Sequence, residues 1–401
     1  MTKKLYIIGG GIAGLSAAIY ALDKKYDVEL FEAAPYFGGR CRSFFDKHLG
    51  CGIDNGNHLI LGANKNAIAL IKKIGAKDEL HITKNPKIKF TDVKSQEIFY
   101  IKGKNLTIPN TSQFNAVKAL FSLISSTKDE TVKQSVGKNP LYKKLLEPLC
   151  ITILNTPANE ASSKIFAKVL LKILFGGRNS MTSYLPKNSW NESLISPMIQ
   201  YIENKGGKLH RNTSLSKIIS TDGLIESLLF KGGQKRIIEF SDKIILALPP
   251  YAINNFLPDI KIPKQHQPIV NVHFLYGSKK ENIYEAILNG TAEWLFFKNG
   301  MISTTTSAAS DLTSQSDEKI ATRIWNDIQK ALNISDKIPK YRVIKEKRAT
   351  FSCSPEIAFN RPVNKTNFYN LFLAGDYTNT FLPATIESAI VSAKKSTQYL
   401  E

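Results

Sequence analysis

The chain opens on a short apolar run, residues 5–8, continuous enough for a strand covered on both faces. Three glycines break the run, a helical pattern occupies residues 14–24, and a second continuous run fills 28–32. Together these predict a β-α-β unit, followed by a helix over 63–74 that stops at Gly75. From about residue 82 the pattern changes. Strand-like pieces at 88–90, 98–101 and 106–108 lead to Pro109, and helical periodicity then covers 114–125, 140–154 and 162–175. The first pattern returns near residue 199. A helix ends at Lys205-Gly206-Gly207, strands are predicted at 208–210 and 216–220, and a hairpin-like pair turns at Gly232-Gly233. The apolar run 242–248 is stopped by Pro249 and Pro250. A second excursion, about 251–345, carries predicted strands at 269–276, 292–297 and 300–305 and a helix over 317–332. Finally a strand at 371–374 meets Gly375-Asp376, and Thr385 opens a helix to about residue 399.

The turn after the first strand reads Gly9-Gly10-Gly11-Ile12-Ala13-Gly14, and Glu32 ends the second strand. Gly9 permits the tight turn, Gly11 and Ala13 leave room for backbone to approach a pyrophosphate, and Gly14 lets the helix pack on the sheet. The helix N-terminus offers free N–H groups to phosphates. A carboxylate at Glu32 is placed to accept the hydroxyls of an adenosine ribose. Strand, turn, helix and acid together predict a dinucleotide site.

Composition narrows the setting. The apolar and charged fractions, 43% and 22%, are those of a globular protein. Four cysteines, Cys41, Cys51, Cys150 and Cys353, form no C-x-x-C pair, so neither a metal site nor a disulfide framework is expected, and a reducing compartment is. Lys3 and Lys4 before an apolar run imitate a secretory leader, but cleavage there would remove the glycine turn. No run reaches the length of a membrane span. The formal charge of +20 comes from scattered lysines without a recognition motif, which argues against nucleic acid. It suits either a solvated basic surface or an anionic membrane surface. The run 165–175, with lysines four apart, reads as a core helix, as the wall of a greasy tunnel, or as a membrane-dipping helix.

Further motifs turn a dinucleotide site toward a flavin. Gly38-Gly39-Arg40 brings N–H groups and a guanidinium to the pyrophosphate side. Gly375-Asp376 places a carboxylate where it can hold a ribityl chain, and the helix opening at Thr385-Ile386 points its N-terminus at the ring. More specific strings are Asp54-Asn55-Gly56-Asn57-His58, Leu154-Asn155-Thr156-Pro157, Phe175-Gly176-Gly177-Arg178 and Leu382-Pro383-Ala384-Thr385-Ile386-Glu387.

With these strings the chain resembles, over essentially its whole length, the FAD-dependent amine oxidase and phytoene desaturase superfamily, and within it the squalene-associated hydroxysqualene dehydroxylase branch. The resemblance implies an α/β fold: a Rossmann-type, glutathione-reductase-like FAD-binding domain (1–80, 200–255 and 346–401) with an inserted α+β substrate domain (81–199 and 256–345). It implies FAD as cofactor, held by Gly9, Gly11, Ala13, Gly14, Glu32, Gly39, Arg40, Gly375, Asp376, Thr385 and Ile386, with the backbone of Leu215 against adenine. The implied reaction is loss of water from the allylic alcohol hydroxysqualene and hydride transfer from reduced FAD, giving squalene for hopanoid or related lipids. A cytoplasmic enzyme is expected, peripheral at the inner face of the membrane, with other squalene-synthesis enzymes as candidate partners. Asn57, Tyr377 and Ser388 stand where the branch more often carries Gln, Trp and Gly.

A leaving hydroxyl needs a proton or a hydrogen bond, and the cation it leaves needs a dry pocket. His58 is the candidate donor, with Asp54 as its partner; the alternative is that His58 only shapes its loop. Asn55, Arg178 and Tyr184 are candidates for the substrate side, the last two alternatively structural. Glu387 is expected at the ribityl chain or helix backbone. The competing readings are a carotenoid or phytoene desaturase, a flavin amine oxidase, and a non-catalytic flavoprotein.

Overall fold

The computed structural model describes residues 3–84, 86–102, 111–126, 128–280 and 282–400. Its central sheet has five parallel strands in the order Lys208–His210, Asp27–Phe31, Lys4–Ile8, Lys243–Leu246 and Leu371–Leu373. Side chains alternate between two cores, as strand geometry dictates. Leu5 and Ile7 face the first helix (Ile12–Asp23) and the last (Ile386–Gln398), which lie against each other. Tyr6, Ile8 and Phe31 face a three-stranded antiparallel sheet, where the Phe31 and Phe230 rings are 4.5 Å apart.

A second sheet of seven strands runs Tyr341–Phe351, His266–Leu275, Met301–Thr306, Trp294–Lys298, Ile283–Leu288, Lys87–Asp92, Ile98–Lys102. Ile283–Leu288 pairs in parallel with Lys87–Asp92, Ala286 opposite Phe90, so both excursions from the central sheet build one sheet. The amphipathic helix Asp317–Leu332, capped by Ser316 on the N–H of Lys319, buries Ile320, Ile324 and Ile328 on one face of it. The other face looks onto helices Gln113–Ser125, Glu147–Leu154 and Ser163–Phe175.

Several elements differ from the sequence expectation. The helix expected over 140–154 is a π-helical turn, Tyr142–Leu146, followed by Glu147–Leu154, because Pro148 cannot donate to the preceding turn. Strands Leu80–Thr83, Ser183–Pro186 and Tyr341–Phe351 were not expected; the last is rich in Lys and Arg and gives little apolar alternation. The piece expected at 106–108 lies outside the described residues. Helix Ser196–Asn204 and strand Tyr341–Phe351 run across the domain limits expected at 199/200 and 345/346.

Candidate active site

The glycine turn is built as the sequence demands at three positions. A Cβ on Gly14 would lie 1.9 Å from the Gly9 carbonyl oxygen, and one on Gly9 2.5 Å from that of Ala247, so helix and sheet close tightly here. Gly11 is the opposite case: a Cβ there meets nothing within 4 Å, leaving bare backbone facing open space at the helix start. The Glu32 carboxylate lies over the turn, accepting from the N–H of Gly10 at 2.7 Å and of Ala34 at 2.8 Å. Residues 212 and 213 are tied beside it by bonds to Ala34 and Glu32 carbonyls, which brings Leu215, the first residue of its strand, to the same end.

On the other side of the turn, the Gly38 N–H donates to the Gly10 carbonyl at 2.8 Å, and Gly39 packs against the Gly11 Cα. Arg40 then reaches Asp376 at 2.7 Å and the Ala349 carbonyl at 2.5 Å. Thr385 accepts from the Ser388 N–H at 3.2 Å and starts the last helix at Ile386. An unbroken series of contacts thus runs from Glu32 through the glycine turn and Arg40 to Asp376. Open backbone at Gly11, flanked by an acid at one end and an arginine–acid pair at the other, fits the diphosphate and two polyol ends of FAD.

The departures from the commoner branch pattern are absorbed locally. The Ser388 hydroxyl is buried, shares a hydrogen bond with Thr380 at 2.7 Å and donates to the Asp376 carbonyl at 3.1 Å, so it braces the Gly-Asp turn. Tyr377 is buried beside Gly375, and burial holds its hydroxyl protonated. Glu387 is also buried. It accepts from the Ala67 N–H and the Asn66 side chain, each at 2.8 Å, and so caps the helix Lys65–Lys73, which is the helix-backbone alternative raised from the sequence.

His58 stands on the wall between two hollows. On one side is a small pocket of mixed lining shared with Asp54, Trp190, His273 and Lys298; on the other is a chamber of about 560 Å³. Its Nε2 is buried without a hydrogen-bond partner among the described residues. Burial pushes the imidazole below its usual pKa, against the Asp54 charge and the Arg40 carbonyl, so the ring is neutral at neutral pH. Asp54, however, is not hydrogen-bonded to it. Its oxygens accept from Ser43 Oγ (2.6 Å), Trp190 N (3.0 Å) and Lys298 Nζ (2.8 Å), which makes it a buried anchor for the loop rather than the partner of His58. Burial pushes its carboxyl up, but Lys298 and these donors outweigh that and hold it below the usual range. Lys298 was missed from the sequence; it comes from the second excursion, and only the fold brings it to Asp54.

The chamber is lined almost wholly by apolar side chains, among them Phe90, Leu120, Leu145, Ile153, Leu170 and Trp294. Its polar groups include Asn57, which donates to the Thr304 carbonyl and Thr305 Oγ1 at 3.1 Å each, and Asn155. Asn155, in the left-handed region at φ +47°, donates to Thr350 Oγ1 at 2.9 Å and accepts from the Ala308 N–H at 2.7 Å. With Thr156 accepting from the Cys353 N–H, the Leu-Asn-Thr-Pro string ties a helix end to both strands behind the chamber.

Three residues expected on the substrate side lie elsewhere in the fold, Arg178 and Tyr184 in positions that suit their structural alternative. Asn55 faces Arg40 and Glu346, not the chamber; Asn57, two residues on past the bend at Gly56, lines it. Arg178 is exposed on the turn after helix Ser163–Phe175, while Phe175 and Met181 line the chamber. Tyr184 sits in the middle strand of a three-stranded sheet, between Ile60 and Ile82, and packs with the cofactor-side core.

The fold and groove define a Rossmann-type flavoprotein with an apolar chamber. The chain matches the flavin containing amine oxidoreductase model over residues 12–400. Among solved structures it is similar to an oxidoreductase from Methanosarcina mazei (TM-score 0.77, 15% identity, 98% of this chain and 100% of that one) and to a putrescine oxidase double mutant (TM-score 0.73, 14%, 100% and 99%). At that identity the likeness concerns the fold alone. It is 35% identical to the hydroxysqualene dehydroxylase of Zymomonas mobilis, covering 97% of each chain, and 31% identical to that of Sinorhizobium fredii, covering 99% of this chain and 98% of the relative. A 15-cis-phytoene desaturase of Glycine max matches at 25%, covering 98% of this chain and 78% of the relative. The chain therefore belongs to the flavin containing amine oxidoreductase family and, within it, to the hydroxysqualene dehydroxylases. It is an FAD-dependent oxidoreductase.

Proposed function

We propose that this enzyme reduces hydroxysqualene to squalene with loss of water. The observation that carries the reading is the chamber: a cavity of about 560 Å³ lined mostly by apolar side chains, with a minority of polar groups that includes Asn57, His58 and Asn155. That volume and lining suit a long hydrocarbon bearing one hydroxyl. FAD, when bound, supplies the hydride. Gly11, Ala13 and Gly39 would line its diphosphate over the turn that Gly9 and Gly14 close, Glu32 and the Leu215 backbone its adenosine end, and Arg40, Asp376, Thr385 and Ile386 its other end. Residues 1–80, 200–255 and 346–401 would then form the cofactor unit, with the limits moved to whole elements.

The chain's own part is to bind, orient and exclude water. The aliphatic wall holds the polyene, and its dryness protects an allylic cation from recapture. His58 acts as the imidazolium: with its other N–H on the Arg40 carbonyl, the resting neutral ring takes up a proton at the unpartnered Nε2 and passes it to the departing hydroxyl. Asn57 is held by Thr304 and Thr305, which fixes the loop. Site and substrate together favour a peripheral position on the inner membrane face, near other squalene-synthesis enzymes.

The test is anaerobic: chemically reduced, flavin-loaded enzyme with hydroxysqualene in detergent should release squalene, and with phytoene no desaturated product when reoxidised. No squalene would reject the reading. His58→Gln should retain flavin and lose about 10²-fold in turnover; unchanged turnover would reject its role.

A further inference from the structure

Helix Gln113–Ser125 has two apolar faces. One, with Ala116, Ala119, Leu120 and Leu123, lines the chamber. The other carries Phe114 (72% exposed), Val117 (65%), Phe121 (71%) and Ile124 (51%) at spacings of three and four, a continuous greasy stripe turned to solvent. Val117 belongs to both sets: it lines the chamber and is exposed. So does Phe175, 69% exposed at the end of the neighbouring helix Ser163–Phe175. These two residues mark the rim, and the stripe runs past it through Val117.

The charge carried by the two helices themselves has one sign. Across the two helices the ionic residues are Lys118, Lys164, Lys168 and Lys172, with no acid on either. Asp129 lies at the opposite end of the second helix, accepting from Ser162 Oγ at 2.7 Å. Aromatic and aliphatic side chains on a helix whose one ionic residue is Lys118, beside a helix bearing Lys168 and Lys172, match an anionic bilayer surface, where rings enter the acyl boundary and ammonium groups meet phosphates. A second copy of the chain would bring the same lysines face to face in a two-fold interface, on a protein of net charge +20. Among the described residues no helix is long and apolar enough to cross a membrane, so the contact is a docking and not a span.

We infer that Phe114, Val117, Phe121, Ile124 and Phe175 form a membrane-docking face that seats the chamber's mouth on an anionic bilayer, so that the substrate passes between lipid and enzyme without crossing water. The inference deepens the lipid reading of the chamber and rests on it for its purpose, but its geometry is independent of the reaction.

The experiment uses full-length, flavin-loaded protein and sedimentation with vesicles of phosphatidylcholine alone or mixed with phosphatidylglycerol. Wild type should bind the mixed vesicles, more weakly at high salt, and bind phosphatidylcholine vesicles poorly. The triple variant Phe114→Gln, Phe121→Gln, Ile124→Gln keeps good helix formers and spares the chamber lining. It should lose at least tenfold in vesicle binding while keeping flavin and turnover of detergent-dispersed substrate. Equal binding by wild type and triple variant overturns the proposal, as does wild type that stays in the supernatant, including as a dimer which the triple variant abolishes. Equal binding to both vesicle types overturns its electrostatic half. If binding depends on the three residues but hydroxysqualene is not reduced in detergent, the docking face stands and the proposed reaction falls.

Discussion

The cofactor groove and the chamber are built by opposite means. The groove is made of backbone and a few polar side chains at fixed spacings, and several of its positions have a role that one side chain fills. The chamber is made of interchangeable aliphatic side chains from both excursions, and no one position defines it. Damage to the groove should therefore be local and severe, while damage to the chamber should be spread and mostly a matter of stability.

The sharpest way to break this contrast is a pair of glycine substitutions one turn apart. Gly14→Ala sets a methyl against the Gly9 carbonyl, and the protein should lose about 3 kcal/mol or more and fail to retain flavin, read by thermal melting and visible absorption. Gly11→Ala meets open space, so the flavin-free protein should melt like wild type while FAD affinity drops. A Gly11→Ala variant with normal affinity would show that the groove does not run where it is placed here.

Next in size is Lys298→Met, which strands the Asp54 carboxylate in a buried site and should cost about 3–5 kcal/mol. The folded carboxyl lies below its unfolded value, so the stability it contributes is present above that value and lost as pH falls through the folded one. Acid unfolding of the variant should begin at higher pH, and Asp54→Asn in the same chain should recover part of the loss. Glu293 offers the reverse sign. Its enclosed carboxyl, accepting from the Ser307 N–H at 2.8 Å, is pushed up by burial to about 8 from 4.5. Stability is full below the unfolded value and falls as pH rises toward 8, because only the unfolded chain ionises freely there. Glu293→Gln should thus stabilise at pH 8, on the order of 3 kcal/mol, and do nothing at pH 4; equilibrium denaturation at the two pH values decides. The smallest effect belongs to Ser388→Ala, about 1 kcal/mol, through its bonds to Thr380 and Asp376.

The same contrast explains what the sequence discloses. Gly9, Glu32, Arg40 and Asp376 are legible because each sits at a turn or strand end whose chemistry is local. Helix Asp317–Leu332 is legible to the residue because its periodicity and its Ser316 cap agree. Lys298, Tyr284 and Trp294 are not legible: they reach the loop or chamber through sheet pairings with no local signature. Asn55 and Asn57 could not be told apart in the sequence, because both are amides in one irregular loop and only the fold shows which of them lines the chamber. Arg178 kept two readings in the sequence because a polar residue after an apolar helix reads alike at a pocket rim and in solvent.

The parallel pairing of Lys87–Asp92 with Ile283–Leu288 has a consequence for how the protein is made. During synthesis the early strand emerges long before its neighbour, and the central sheet likewise waits for Leu371–Leu373. Neither half can mature while the ribosome is still reading, so greasy surfaces stay bare for most of translation. Shortened versions should accordingly aggregate rather than yield a working half, and chaperone supply should set the yield of the whole.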